Sequence, residues 1–261
     1  MNYDITKQTI NKPSNKNFHL HCHNNYEIYM FLEGDAKYVV EENTYNLEPY
    51  DMIIIRKHEM HRIYHNSSTK YSRYVLSVSP EFFKEEGCGT YEAAFTDFSH
   101  VTGNKISADT VRTSGLYNAF LRLEKYSDAF LNVNTPIVKS VITEILYLIN
   151  TASFSAADTS NSRIKDIIAY INNRYTENIS LDELEKIFYV SKYHLCRAFK
   201  HATGLTVHGY ITDKRLMRAC ELKADGKSLG DAAALAGFGC YSAFYRAYVQ
   251  RFGTPPKATH S

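Results

Sequence analysis

Near its C-terminus the chain carries one sequence pattern twice, and this repeat restricts the possible folds more than any other feature. The two copies share four positions at a constant separation of forty-nine residues: Leu195, Arg197, Phe199 and Gly204 in the first, and Phe244, Arg246, Tyr248 and Gly253 in the second. In each copy a short capped helix is followed by a tight turn and a second helix with a basic, aromatic-rich face. The repeat predicts two helix-turn-helix units, whose second helix has the size and charge to enter a DNA major groove.

Start and stop signals place the helices around this repeat. Isoleucines at helical spacing predict a helix in RIKDIIAYINNRY, and Ser180 with Glu183 forms a capping box ahead of the next one. Ser191 can cap the helix that ends at Gly204, a residue type common just after the last helical position. A longer connecting helix is expected over about 207–224. The last third of the chain is therefore expected to be helical throughout.

The second helix of each unit has a core face and a surface face. Leu195 and Phe199 lie one helical turn apart, as do Phe244 and Tyr248, so each pair is expected in the core. The other face carries Lys192, Tyr193, Cys196 and Arg197 in the first unit, and Tyr241, Ser242, Tyr245 and Arg246 in the second. Arginine on such a helix can bind O6 and N7 of guanine, while lysine and hydroxyl groups favour phosphates. The alternative is that both faces are ordinary solvated surface.

The charge distribution agrees with a nucleic-acid-binding end. Residues 163–261 contain 15 Lys+Arg and 9 Asp+Glu, a net charge of +6, whereas residues 1–162 contain 15 and 19, a net charge of −4. A basic region joined to an acidic body is typical of nucleic-acid-binding proteins, although charge excesses of this size also occur on ordinary surfaces.

The start of the chain is polar and no apolar run reaches eighteen residues, so we expect no secretory signal and no membrane span. Five scattered cysteines without a CxxC motif favour free thiols in a reducing cytoplasm.

The first half of the chain is rich in strand signals. The runs LHCHNNYEIYMFLEG, AKYVVEENTYNLEP, DMIIIRKHEMHRI and SRYVLSVSP, separated by polar turns, favour an antiparallel barrel or sandwich. Helical spacing follows in 111–131, and a strongly apolar helix is predicted to begin at Pro136. The segment TASFSAADTSNS, at 151–162, is small, polar and without periodicity, and it reads as a linker.

A second constellation lies in the stretch HCHNNYE at 21–27. Alternate residues of a strand share a face, so His21, His23 and Glu27 would project together. Two imidazoles and a carboxylate are the ligand set of many metal enzymes. The same side chains could instead line a pocket for a small molecule, or belong to ordinary strand faces.

The repeat matches a known signature closely. The segment GFGCYSAFYRAYVQRFGTPP carries Gly237, Phe238, Ser242, Phe244, Arg246, Gly253, Thr254 and Pro255. The segment SKYHLCRAFKHATGLT carries Ser191, Tyr193, Leu195, Arg197, Phe199, Lys200 and Gly204. Through these residues the chain resembles the AraC-type (AraC/XylS) transcription regulators over 163–258.

This resemblance implies two helix-turn-helix units on one rigid connecting helix, with recognition helices that reach successive major grooves roughly 34 Å apart. By resemblance the DNA contacts are Lys192, Tyr193, Cys196, Arg197, Tyr241, Ser242 and Arg246. Glu185 departs from the family, which usually has a small alanine at this position, and burying a carboxylate there between two helices would be costly.

The N-terminal half resembles the cupin-type sensor domain of many such regulators. Its first motif is met by His21, His23, Glu27 and Gly34. The second motif lacks its glycine in Pro49-Tyr50-Asp51, and His58 or His61 could complete it. The resemblance implies an effector site of His21, His23, Glu27 and His61, which are also the ligands in the metal alternative. Nearby tyrosines would suit stacking against a sugar ring, which makes carbohydrate the leading effector class.

We therefore expect an α+β two-domain protein: an N-terminal cupin-like antiparallel β-barrel with a helical dimerisation segment, and a C-terminal all-α double helix-turn-helix domain. The expected boundaries are 1–107 for the sensor barrel, 108–150 for the helical packing and dimerisation region, 151–162 for the linker, and 163–261 for the DNA-binding domain. The expected function is a cytoplasmic, homodimeric transcription regulator that binds double-stranded DNA and a small-molecule effector, with no cofactor and no enzymatic activity. The alternative from another class is a cupin metalloenzyme with an accessory helical domain.

Overall fold

The computed structural model describes residues 2–41, 43–96, 103–130, 135–155 and 162–256. The chain divides into two compact units, one of Met1–Phe18 with Asn25–Thr159 and one of His19–Asn24 with Ser160–Ser261. Most of the expected linker, residues 156–161, lies outside the described residues. Its first residues belong to the first unit, where the backbone of Ser155 pairs with Lys105.

The first unit is built on two antiparallel sheets. Its strands are β1 (Tyr3–Ile10), β2 (Tyr26–Glu33), β3 (Ala36–Val40), β4 (Asn43–Asn46), β5 (Met52–Ile55), β6 (His61–His65), β7 (Tyr71–Val78) and β8 (Lys105–Ile106). One sheet has the strand order β1-β7-β2-β5-β8, and the other has the order β4-β3-β6. Both orders place strands that are distant in sequence side by side, as in a cupin-like arrangement.

Strand alternation separates two cores in this unit. On β2, Ile28 and Met30 belong to a core shared with helices, whereas Tyr29 and Phe31 belong to a second core shared with β3 and β6. Because side chains of a strand alternate between its two faces, a sheet buried on both sides needs continuous apolar runs. This accounts for β5, whose sequence MIII is buried at every position.

Helices cover the first core. They are α1 (Pro80–Glu85), α2 (Ala93–Thr96), α3 (Ala108–Thr113), α4 (Leu116–Phe130) and α5 (Pro136–Thr151). The α5 helix starts as the sequence indicates, with Pro136 in its first turn and the Thr135 side chain accepting a hydrogen bond from the Val138 amide. One face of α5, including Ile142 and Ile145, is fully buried in the first core.

The second unit is helical apart from the segment His19–Asn24. Its helices are α6 (Ser162–Arg174), α7 (Leu181–Phe188), α8 (Lys192–Thr203), α9 (Val207–Ala224), α10 (Leu229–Leu235) and α11 (Tyr241–Phe252). The pairs α7–α8 and α10–α11 are the two helix-turn-helix units, and α9 connects them. The expected fold class, a β-rich cupin-like unit followed by a helical double helix-turn-helix unit, is confirmed. Among the described residues, no helix combines the length and hydropathy that crossing a membrane requires.

Candidate nucleic-acid interface and effector site

In the first helix-turn-helix unit, serines cap both helices. The Ser180 hydroxyl accepts a hydrogen bond from the Glu183 amide, and Ser191 accepts one from the His194 amide, which satisfies amides that have no partner within the helix. Between the helices, Tyr189 adopts a left-handed conformation with φ of 51° and is 90% exposed. The turn therefore reverses the chain without a glycine.

The α8 helix presents its expected surface residues to solvent. Leu195 and Phe199 are completely buried and fix the opposite face of the helix in the core. Tyr193 is 70% exposed and Arg197 is exposed, while Lys192 and Cys196 are half-buried. One face of a capped, anchored helix thus offers two cations, a phenol and a thiol.

Glu185 does not lie in the core. Its side chain is 40% exposed, and its carboxylate accepts a hydrogen bond from the Lys192 backbone amide at 3.1 Å. The Lys192 ammonium lies 2.5 Å from Asp182 and 4.0 Å from Glu185. The departure from the family's alanine is therefore accommodated, because the carboxylate satisfies an amide at the start of α8 and attracts its first cation.

The second unit repeats this arrangement with one difference. Ser228 accepts a hydrogen bond from the Asp231 amide at the start of α10, but among the described residues no side chain makes a capping hydrogen bond at the start of α11. Phe244 is buried and meets Phe238 edge-on at 5.5 Å, whereas Tyr248 is only half-buried, and its burial raises the pKa of its phenol. Of the expected DNA contacts on this helix, Tyr241, Ser242 and Arg246 are all exposed.

The connecting helix α9 is fastened by polar contacts as well as by its core. Arg215 donates hydrogen bonds to the carbonyl oxygens of Tyr175 and Glu177, at 2.6 and 2.7 Å, and so ties α9 to the loop between α6 and α7. Tyr210 donates to Asn172 at 3.0 Å. Arginine bonded to two carbonyl groups is rigidly held, so these contacts stabilise the spacer between the two recognition helices.

A polar cleft of about 720 Å³, which motif matching did not reveal, runs along α9 and α11. Besides Arg246, its charged and polar lining includes His208, Thr212, Asp213, Gln250 and Arg251. Burial raises the pKa of the Asp213 carboxyl, and the charge of Arg251 opposes that rise. No sequence signal marks the cleft, since its residues are scattered over α9, α11 and the turns that precede these two helices.

In the N-terminal unit, two of the four expected effector residues meet. The His61 Nε2 atom lies 3.9 Å from Glu27 Oε2, and the Tyr38 hydroxyl donates to Glu27 Oε1 at 3.5 Å. The Tyr38 and His61 rings are stacked, with 6.3 Å between their centroids. His61 is completely buried and Glu27 nearly so, which makes this a low-dielectric carboxylate–imidazole pair.

The other two expected residues lie next to each other. His21 and His23 have ring centroids 6.0 Å apart, are half-buried, and belong to the segment that groups with the second unit. His21 Nδ1 lies 2.9 Å from the carbonyl oxygen of His19. The four-residue site, whether for an effector or for a metal, stays a prediction.

Further polar residues point inward from β6 and β7, and the motif comparison missed them. Because alternate residues share a face, His65 lies on the same side of β6 as His61, and Arg73 on the same side of β7 as Tyr71. The Tyr29 and Tyr71 hydroxyl groups are 3.1 Å apart, and burial raises the pKa of both phenols. The sequence signal for these residues is the alternation of strand faces in HRIYH and YSRYV, which places His65 with His61 and Arg73 with Tyr71.

Comparison with known proteins agrees with this geometry. Residues 9–125 match the model of the AraC-like ligand binding domain, and residues 184–261 match a helix-turn-helix domain model. Fold and matches together define a DNA-binding transcription regulator with an N-terminal ligand-binding domain. The chain belongs to the AraC family.

The chain is also similar to individual members. It is 25% identical, over 244 residues, to the HTH-type transcriptional activator RhaS of Yersinia pestis, a match that covers 92% of this chain and 88% of the relative. The structure of ToxT from Vibrio cholerae aligns with 98% of this chain and 97% of its own, at 12% identity and a TM-score of 0.39. The DNA-binding domain of AdpA, solved with target DNA, covers 36% of this chain at 20% identity and a TM-score of 0.34.

Proposed function

We propose that this regulator reads DNA with the exposed faces of α8 and α11. The contacts are Lys192, Tyr193, Cys196 and Arg197 on α8, and Tyr241, Ser242 and Arg246 on α11. The observation that carries the proposal is the equivalent placement of two exposed arginines on helices whose opposite faces are buried. Each guanidinium can make a bidentate contact with guanine, and the lysine and hydroxyl groups fix the register on phosphates.

The sensing end of the protein is proposed to be the N-terminal unit, within residues 1–107. Its inward-facing polar side chains, Glu27 and His61 among them, would contact a small-molecule effector, for which carbohydrate is the leading class. The buried tyrosines around them support this class, because an aromatic ring can stack on a sugar ring while its hydroxyl donates. Effector binding regulates DNA affinity only if the effector binds one arrangement of the DNA-binding domains more tightly than another.

We further propose a cytoplasmic homodimer without enzymatic activity, in which 108–150 supplies packing and dimer contacts, 151–162 the linker, and 163–261 the DNA-binding domain. Leu121 on α4, with Ile137 and Tyr147 on α5, are large apolar side chains that are more than two-fifths exposed. Such residues favour contact with a second copy. In a dimer, binding of one DNA-binding domain would raise the effective concentration of the other at a neighbouring half-site.

The experiment selects bound fragments from a random double-stranded DNA pool with the purified chain, then measures affinity for the selected site at several salt concentrations. A defined consensus whose affinity falls steeply with salt is expected. Recovery of fragments without a common sequence, or an affinity that does not depend on salt, would reject the proposed DNA-binding function.

A thermal-shift screen of sugars and divalent metals tests the proposed effector site of the N-terminal unit. Stoichiometric bound metal with metal-dependent turnover would favour the metalloenzyme instead.

A further inference from the structure

The interior of the N-terminal unit contains a cation whose hydrogen-bonding capacity is only partly used. Arg73 lies on β7, and its Nη2 atom donates to Gln8 Oε1 at 3.1 Å. Its Nε atom is buried and has no hydrogen-bond partner among the described residues. A buried donor without a partner is costly, and arginine stays charged at every physiological pH, so the arrangement needs an explanation.

Aromatic rings surround this guanidinium without stacking on it. Its Cζ atom lies 5.9 Å from the ring centroids of Phe18 and Tyr71, and 6.0 Å from that of Tyr29. The Nε atom of Arg62 is also buried without a hydrogen-bond partner among the described residues, but its Cζ lies 3.7 Å from the Tyr64 centroid, so that guanidinium is covered by a ring. The guanidinium of Arg73 is therefore not covered by a ring, although its Nε atom is buried.

A second unused donor lies beside it. His65 is 7% exposed, and its Nε2 atom is also buried without a hydrogen-bond partner among the described residues. Asn15 fixes the strand at this point, since its side chain donates to the His65 carbonyl oxygen at 2.9 Å and accepts from the His65 amide at 2.8 Å. The ring itself packs on Phe18 and Tyr71, with centroids 4.7 and 4.5 Å away.

Electrostatics connect these two groups. Burial first, and then the charge of Arg73, lower the pKa of His65, so the imidazole is neutral at pH 7 and can donate from Nε2. Glu27 faces the same interior and its charge acts on Arg73, although its carboxylate is nearest to Tyr38 and His61. Among the described residues, no carboxylate forms an ion pair with Arg73. The pair thus presents a guanidinium without an ion-pair partner among the described residues, and two ring or guanidinium nitrogens without a hydrogen bond.

We infer that Arg73 and His65 bind an anionic oxygen group of the effector, so that the effector is an acid, such as a carboxylate or phosphate, and not a neutral sugar. The inference rests on the proposed sensing function of this unit and names the chemistry that the unit selects. Oxygen atoms at this position would accept from Arg73 Nε and His65 Nε2 together. Charge-assisted hydrogen bonds of this kind are stronger than neutral ones.

Access to the pair is available from the sheet edge. Gln8, the hydrogen-bond partner of Arg73, is an exposed residue of β1, and Arg73 itself is only partly buried. An anion can therefore reach the guanidinium at the end of the interior while the rest of the ligand contacts the tyrosines. Phe18 and Tyr71 would exclude water from the charged contact and so strengthen it.

The test uses simple anions, because they probe the site itself before the effector is identified. The full chain is titrated with acetate, with inorganic phosphate, and with acetamide as the neutral isostere of acetate, at constant ionic strength. Melting temperature and the NMR signals of the His65 ring are followed. Acetate or phosphate is expected to raise the melting temperature and to raise the pKa of His65, whereas acetamide leaves both unchanged. Which anion binds more tightly distinguishes a carboxylate effector from a phosphate effector.

Variants decide whether Arg73 is responsible. Arg73→Met keeps the length of the side chain but removes the charge, and it should weaken anion binding at least about tenfold. Arg62→Met is the matched control, since Arg62 lies on β6 with its side chain on the opposite face, and it should bind anions as the parent does. Equal responses to acetate and acetamide, no response to either anion, or unchanged anion affinity in a folded Arg73→Met chain would overturn the inference.

Failure of this inference is distinguishable from failure of the proposed function. If the chain selects a DNA consensus and a neutral compound alters its affinity while anions do nothing, the regulator stands and the acidic effector is rejected. If anions bind through Arg73 but no DNA consensus emerges, the anion site stands and the proposed DNA reading is rejected.

Discussion

Gly237 lies directly against the backbone of Thr176: a Cβ atom on this glycine would be 2.8 Å from both the carbonyl carbon and the Cα of Thr176, and closer still to its carbonyl oxygen. Gly237 also has φ of +93°, a conformation that side chains rarely tolerate. It follows α10 and begins the turn into α11. The turn of the second helix-turn-helix unit therefore depends on a residue without a side chain, packed against the end of the α6 region.

Gly237→Ala is expected to destabilise the second helix-turn-helix unit by about 2–5 kcal/mol, the sum of left-handed strain and a forced backbone shift. Urea unfolding of the second unit, followed by circular dichroism, measures the loss, and specific DNA binding should fall with it. Gly239→Ala is the control, because a Cβ at Gly239 meets nothing within 4 Å. Equal stability of the two variants would contradict the role assigned to Gly237.

Much of the second unit could be predicted because its signals are local. Serine caps at Ser180, Ser191 and Ser228 mark helix starts through a hydrogen bond that spans only three residues, and all three caps are formed. Glu185 shows where local sequence signals are not enough to place a side chain. The family's alanine at this position implied a cost for burying a carboxylate, but that cost does not arise because the carboxylate turns outward to the Lys192 amide.

The sensor interior was less predictable, because it depends on which strands pair. Alternation places His65 and Arg73 on one face of their own strands, but β6 pairs with β3 while β7 pairs with β1 and β2. Only this non-local pairing brings the two side chains together, and no local pattern encodes it. The motif at 21–27 is conspicuous in sequence, whereas no local pattern marks Arg73.

Arg197→Ala and Arg246→Ala are each expected to weaken specific DNA binding by about 1–3 kcal/mol and to relax the preference at one base pair. Both arginines are exposed, so folding should be unaffected. Fluorescence anisotropy with the selected site and with single-base variants gives both quantities. Arg218→Ala, which removes the same charge from the middle of α9, should change affinity much less. Unchanged affinity and base preference in both α8 and α11 variants would contradict the contact assignment.

Asp182→Asn is expected to strengthen DNA binding several-fold at low salt. The Asp182 carboxylate holds the Lys192 ammonium at 2.5 Å, and the hydrogen bond from Lys192 lowers the pKa of Asp182. A lysine held in this way must break the pair to reach a phosphate, and the carboxylate itself repels DNA. A double-mutant cycle with Lys192→Ala measures the coupling in binding assays. If Asp182→Asn gains as much affinity in the Lys192→Ala background as in the parent, Lys192 is not the residue released.

The stability of the N-terminal unit is expected to fall as pH decreases through the usual titration range of histidine. The pKa of His65 is lowered in the folded chain by burial and by Arg73, from an unfolded value near 6.5. Between the folded and the unfolded pKa, the unfolded chain binds more protons than the folded chain. The free energy of unfolding therefore decreases as the pH falls below about 6.5, until the folded chain is protonated too. His65→Phe keeps the ring contacts with Phe18 and Tyr71 but removes the proton. Urea unfolding at pH 8 and pH 5 should show a smaller loss for this variant than for the parent, and parallel losses would place the pH dependence elsewhere.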